Sequence, residues 1–183
     1  GLAMIECSHS GTADDTKGKF VVSTNNGSSI TTALTIDDTQ KAVFAGDVEF
    51  GGDTHTFASA NSEDPLIIIK NTTNDANGSR LRFIKDKGAA GADNDVAGAI
   101  EFYADDDNQD NILFGKIEGI VADASNGAEG GRVTISVASH DGEIQPGLIV
   151  EDGGGEDEVN VTIGNVSTSK TSVSGALGVR DTT

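Results

Sequence analysis

The chain has no tryptophan, one tyrosine, one cysteine, one methionine and two prolines in 183 residues. Aromatic residues amount to 4%, made up of seven phenylalanines and that single tyrosine. A compact monomer of this length draws its core from more large apolar side chains than these. Each chain therefore has little to bury by itself, and the composition predicts a core completed against neighbouring copies. A small self-contained β-sandwich is the alternative on composition alone. The lone Cys7 excludes an intrachain disulfide framework and leaves the redox compartment open. No apolar run approaches the length of a membrane span; one of the longest runs from Leu66 to Ile69. Nothing reads as a signal peptide, and a start at Gly1 rather than Met reads as a fragment or a processed product. Positive charge is also scarce. Twelve Lys and Arg stand against 30 Asp and Glu, a net charge of −18. Nucleic acid and membrane insertion are thereby excluded as expected partners, since phosphate backbones and anionic bilayers demand basic surfaces. Such a charge favours solubility, and a salty medium that screens the self-repulsion.

Glycine is plentiful, at 24 residues. It clusters with Asn, Asp and Ser in breaks between short apolar runs. Across residues 98–152 the runs AIEFY, ILFGKIEGIV and RVTISVA are separated by DDDNQDN and DASNGAEGG. The period within each run is two: Ile100 with Phe102, Ile117 with Val121, and Val133 with Ile135 and Val137. The breaks are hairpin chemistry, because Asn, Asp and Gly tolerate the left-handed backbone of tight turns. The fold class is therefore all-β, built of β-meander and hairpin modules, with almost no helix. Strands are predicted near 3–7, 19–24, 30–37, 42–45, 47–50, 65–70, 79–84, 98–104, 112–121, 132–138, 147–151 and 159–163. In 79–84 the pattern places Leu81 and Phe83 inward, and Arg80 and Arg82 outward. Residues 85–95 are a loop by composition.

Residues 1–52 lie under 113–165 as an internal repeat. Ala-Met-Ile-Glu from Ala3 falls under Gly-Lys-Ile-Glu from Gly115, and GKFVVS from Gly18 under GRVTIS from Gly131. ALTIDD from Ala33 falls under GLIVED from Gly147, and DVEFGG from Asp47 under NVTIGN from Asn160. The first copy lacks a counterpart of 98–103, which leaves the strand at Ala3 without a hairpin partner. A longer chain or a partner chain would supply it, and a piece of a longer fibre is the favoured reading. The organisation expected is the C-terminal part of a first module with a linker over 1–60, a second complete module over 61–165, and a Ser/Thr-rich shaft or linker over 166–183.

From Gly98 the chain reads G-A-I-E-F-Y-A-D-D-D, and from Phe114 F-G-K-I-E-G-I-V-A-D-A-S-N-G-A-E-G-G-R-V, before a closing L-I-V-E at Leu148. That order resembles a module of tail fibres of tailed bacteriophages, especially those of marine cyanobacteria. The resemblance covers about residues 98–152, and more loosely 1–52 and 147–177. It implies an elongated, homotrimeric virion component outside the cell, in contact with other tail parts and with a host-surface glycan or protein.

No constellation names a catalytic, cofactor or metal residue. The acidic run 105–110 offers clustered oxygens of the kind Ca²⁺ takes, but lacks the Gly and Glu of an EF-hand loop and reads equally as a solvated hairpin tip. The run 151–158, with its three glycines, is similar. Ser139, His140 and Asp141 have triad letters, yet three successive turn residues do not converge as nucleophile, base and orienter. His9, His55 and His140 have no ligand spacing. Thirty acids give no means of choosing a glycosidase pair, and the glycine stretches do not open a helix with Lys-Ser/Thr. Five of the twelve basic residues, Lys70, Arg80, Arg82, Lys85 and Lys87, gather in one stretch. They read as one solvated strand face, or as a patch for an acidic glycan or for acidic strips of a neighbouring chain. Sequons at Asn26, Asn71, Asn77, Asn160 and Asn165 arise easily in so Asn-, Ser- and Thr-rich a chain.

Three functions follow. The first is a structural shaft or knob segment of a phage tail fibre, without enzymatic activity. The second is a receptor-binding adhesin module, and the third a bacterial extracellular β-repeat filament protein. Duplication favours the first, because a shaft grows by repeating modules.

Overall fold

The computed structural model describes residues 1–9 and 16–178. The fold is all-β, with no helix among the described residues and two antiparallel sheets. The chain divides into two units, Gly1–Ile68 and the remainder from Ile69.

The first unit is a four-stranded meander of β1 (Ala3–His9), β2 (Gly18–Asn25), β3 (Ile30–Ile36) and β4 (Ala42–Phe44), paired in that order. Its turns are built by short polar side chains. At the β2–β3 hairpin the Asn26 carboxamide oxygen accepts the amides of Ser28 and Ser29, each at 3.0 Å. Gly27 there takes φ 97°, a backbone that side chains with a Cβ resist. At the β3–β4 turn one oxygen of Asp37 accepts from the Thr39 amide at 2.9 Å, the Thr39 hydroxyl at 2.7 Å and the Lys41 amide at 3.1 Å.

The second unit is a five-stranded meander of β5 (Val96–Asp105), β6 (Asn111–Asp123), β7 (Gly130–Ala138), β8 (Ile144–Asp152) and β9 (Val159–Ile163), again in sequence order. β-branched residues dominate β9 and fill the centre of β7 from Val133 to Ile135, where the pleat suits them.

The ladders of β1–β4 and β6–β9 coincide residue by residue. Ile5 faces Val22, which faces Leu34, which faces Phe44. Ile117 faces Ile135, which faces Leu148, which faces Ile163. Both second strands shift register at the same step, after Val22 and after Ile135. Phe20 and Val133 hold equivalent rungs, opposite Ile36 and Val150. The two meanders differ at one edge. β6 lies inside its sheet beside β5, whereas β1 is the edge of the first sheet.

Two sequence expectations are corrected here. Residues 47–50, 65–70 and 79–84 form no strand. Among the described residues they make no ladder hydrogen bond: across residues 46–91 the one described backbone–backbone hydrogen bond runs from the Asp64 amide to the Asn61 carbonyl, 3.4 Å. The fourth repeat block also shifts. The rung opposite Leu34 is held by Phe44 of β4, not by the stretch at 47–50. Of the expected shaft or linker at 166–183, residues 166–178 carry no strand and the rest lies outside the described residues.

Candidate assembly surface

Residues directly opposite in an antiparallel ladder lie on the same face, and alternate residues of a strand share it. In the second sheet one row therefore reads Ile100, Ile117, Ile135, Leu148, Ile163 across all five strands. The next row reads Gly98, Gly119, Val133, Val150, Val161. In the first sheet the matching rows are Ile5, Val22, Leu34, Phe44 and Cys7, Phe20, Ile36, Ala42. None of these side chains is charged, in a chain with 42 charged residues among 183.

This apolar face is left open. Ile100, Ile135 and Ile163 are 41%, 42% and 61% exposed. The opposite face mixes polar residues with Val21, Val43 and Ile149, and the best-covered residues of both sheets lie on it. Thr134 and Ser136 of β7 are buried, as are Val21 and Ser23 on the equivalent rungs of β2. Their cover comes from longer neighbours across the ladder. Lys116 donates to Glu118 at 2.9 Å, both side chains largely shielded. Arg132 stands opposite Glu151, 3.9 Å between charged atoms. Along β7 the alternation is thus inverted relative to a solvated strand: Thr134 and Ser136 are covered, whereas Val133, Ile135 and Val137 are exposed.

One side chain rests on the open face. Gly98 and Gly119 are opposite one another and leave a flat notch between Ile100, Ile117 and Val133. Phe83 occupies it so closely that a Cβ at Gly98 would fall 2.6 Å from its Cγ. Phe83 is nevertheless 49% exposed and Leu81 beside it 63%, so the inward-facing pair expected of 79–84 is not formed.

The residues singled out for chemistry are dispersed, and most serve turns. Asp106 accepts the amides of Asn108 and Asp110, each at 2.9 Å, and Asn108 donates to Asp110 at 2.9 Å. In the run 151–158 the Gly153 amide meets the Glu158 carbonyl at 3.2 Å. The Ser139 hydroxyl donates directly to Asp141 at 2.9 Å, which holds that carboxyl below the usual range. His55 lies tilted against Phe50, ring centres 5.2 Å apart. Among the described residues no group of three or more His, Cys, Asp or Glu is placed to hold a metal ion, and no helix is long and apolar enough to cross a membrane. Of the basic stretch, Lys87 pairs with Asp95 at 2.9 Å, while Lys70, Arg80 and Arg82 meet no carboxylate within 4 Å among the described residues.

The glycine notch and the covered polar face were not anticipated. The sequence signal for the notch is a glycine on each of two paired strands at the same rung. For the polar face it is Thr134 and Ser136 alternating with Val133, Ile135 and Val137. No protein family, curated protein or solved structure matches this chain.

Proposed function

We propose that the chain is a structural segment of the tail fibre of a tailed bacteriophage, a homotrimer whose protomers bury against one another the apolar faces that each leaves bare. The observation that carries this reading is the uncharged aliphatic face of each sheet, much of it exposed, as at Ile5, Phe44, Ile100, Ile135 and Ile163. Accessible surface measures how much is left bare. The chain exposes 15111 Å² at a mass of 18.7 kDa, where a folded monomer of that mass exposes about 8,300 Å². Obligate interfaces bury on the order of 2,000–5,000 Å² and more, counted over both partners, so the surface left bare is ample for a permanent assembly. Three copies is the number that the resemblance of residues 98–152 to tail-fibre modules implies. The matching ladders of β1–β4 and β6–β9 support a duplicated module, which is how an elongated shaft grows.

On this reading the segment is non-catalytic, part of the virion and outside the cell. It joins other tail components to a distal part that meets a host-surface glycan or protein. Sedimentation equilibrium of the isolated chain is expected to give three chain masses at micromolar concentration. Immunogold labelling of phage that carry the gene is expected to decorate the fibres between their base and tip. A folded monomer, or label confined to a bacterial surface, sinks the proposal.

A further inference from the structure

Residues 65–70 read Pro-Leu-Ile-Ile-Ile-Lys. Their four consecutive aliphatic side chains are all more than half exposed, from 51% at Ile69 to 73% at Leu66. Alternate side chains of a strand point to opposite faces, so this run is apolar on both. Runs of that kind belong to strands covered on both sides. Among the described residues, nothing pairs with its backbone. Residues 79–84 form a second arm with the same deficit. Phe83 pins it to the Gly98 notch, yet Leu81 and Ile84 stay exposed and its backbone is unpaired as well. Between the arms lies a tight polar turn, in which Asn71 donates its side-chain amide to the Asn77 carbonyl at 3.0 Å. Despite that turn, no backbone hydrogen bond runs from one arm to the other.

We propose that these arms are strands shared between copies: residues 65–70 of one chain pair with residues 79–84 of the next, and the exchange closes as a ring of three. The inference rests on the homotrimer reading above and assigns the segments that make its backbone contacts. A second copy of this chain is the occupant for reasons of hydrogen bonding and area. Covering the aliphatic run strips water from its amides and carbonyls, and buried backbone groups require partners. The cover must therefore be a strand with free ladder groups, which the second arm is. A head-to-tail contact of unlike surfaces closes into a ring when the rotation permits, and three copies have several thousand Å² each to remove.

Disulfide trapping tests the pairing. The Cys7→Ala chain carrying Ile68→Cys is combined in turn with Arg80→Cys, Leu81→Cys and Arg82→Cys, then oxidised after assembly. At least one pair is expected to give covalent dimers and trimers on a denaturing gel, from material that sediments as a trimer. Cross-links confined to single chains overturn the proposal in favour of an intrachain hairpin. No cross-link in a chain that still sediments as a trimer also overturns it and leaves the trimer resting on the sheet faces. A folded monomer overturns the homotrimer reading and this one together. Should the cysteine variants misfold, hydrogen exchange on the unaltered chain decides. Amides at 66–69 and 80–83 are expected to exchange about 100-fold or more slower than unpaired amides, and free exchange within an intact trimer rejects the shared strands.

Discussion

Ala33 and Gly147 occupy the same bulge of two separate ladders. Each is the residue passed over where the pairing shifts, Ala33 between the rungs Ser23–Thr32 and Val22–Leu34, and Gly147 between Ser136–Pro146 and Ile135–Leu148. Each carbonyl then accepts an amide just past the last strand of its meander, Ala45 at 3.0 Å and Gly164 at 2.8 Å. A bulge re-aims a strand and fixes its register, so the sharing of one bulge between the two meanders is a strong constraint on how they arose.

The first prediction follows from that pair. A Cβ on Gly147 would lie 3.8 Å from the Ile135 carbonyl oxygen, an ordinary contact, and its φ is not in the left-handed region. Because the counterpart position already carries alanine, Gly147→Ala is expected to leave stability unchanged or raise it by about 0.5–1 kcal/mol. Chemical denaturation reads this directly. A loss above about 2 kcal/mol contradicts the equivalence of the two bulges.

The aliphatic rows give the second. Leu148 stands between Ile135 and Ile163, and Leu34 between Val22 and Phe44. If the rows are buried between copies, Leu148→Asp places an unpaired charge in each interface. The cost is several kcal/mol, and the trimer is expected to dissociate in sedimentation, with the second sheet melting at lower denaturant. Leu34→Asp should act likewise on the first sheet. A Leu148→Asp chain that stays trimeric and fully stable would show that the face is solvated.

Much of this architecture is legible in the sequence, and the failures share a physical cause. The alternation of Val133, Ile135 and Val137 announces β7 because the pleat period is intrinsic to the strand. The run at 65–70 announces a strand equally well, yet the ladder is absent, since an apolar pattern says which surface wants cover and not which chain provides it. Val43-Phe44 and Val48-Glu49-Phe50 look alike as strands. The Asp37–Lys41 turn decides between them by folding the first straight back onto β3. Cover over Thr134 and Ser136 was illegible because it is supplied by cross-strand neighbours such as Lys116 and Glu118. The use of Asp141 as a turn acceptor for Ser139 required the geometry.

The third prediction concerns the glycine notch. Because Phe83 lies where a Cβ on Gly98 would be, Gly98→Ala is expected to displace the ring and destabilise the second unit by about 1–3 kcal/mol. Phe83→Ala loses the contact by itself. In the double variant the two losses should sum to less than their separate values, because the clash is gone when the ring is gone. Strict additivity in thermal or chemical unfolding contradicts the seating of Phe83 on Gly98.

The fourth is a pH dependence. Asp37, held by the Thr39 hydroxyl, Asp123, held by the Ser125 hydroxyl, and Asp141, held by the Ser139 hydroxyl, all have carboxyls below the ordinary value of 3.8. Asp95 is lowered chiefly by its bond from Lys87. Folded values below unfolded ones mean that the unfolded chain binds more protons in acid. The stabilisation is complete above the unfolded value and is lost as pH falls through the folded values. Stability is therefore expected to hold down to about pH 5 and to drop below about pH 4. Asp37→Asn and Asp141→Asn should each make that drop shallower. A stability that climbs steadily to pH 3 would mean that relief of the net charge of −18 outweighs the turn carboxylates.

The last prediction separates shaft from adhesin. Arg80 and Arg82 alternate with Leu81 and Phe83, and neither has a carboxylate partner within its chain among the described residues. Such an exposed basic pair would suit an acidic glycan, and it equally suits the acidic surface of a neighbouring copy. Arg80→Gln and Arg82→Gln together remove the charge without reversing it. A surface ion pair contributes about 0–1 kcal/mol, so the proposed trimer should survive with a modest loss of stability that shrinks further in high salt. A phage carrying both changes is expected to assemble fibres and adsorb to its host at the parental rate, because a shaft segment makes no receptor contact. Adsorption and sedimentation must be read together. Loss of adsorption with intact trimeric fibres would transfer the basic arm to receptor binding and replace the shaft reading with the adhesin one. Loss of both would place the two arginines in the assembly itself.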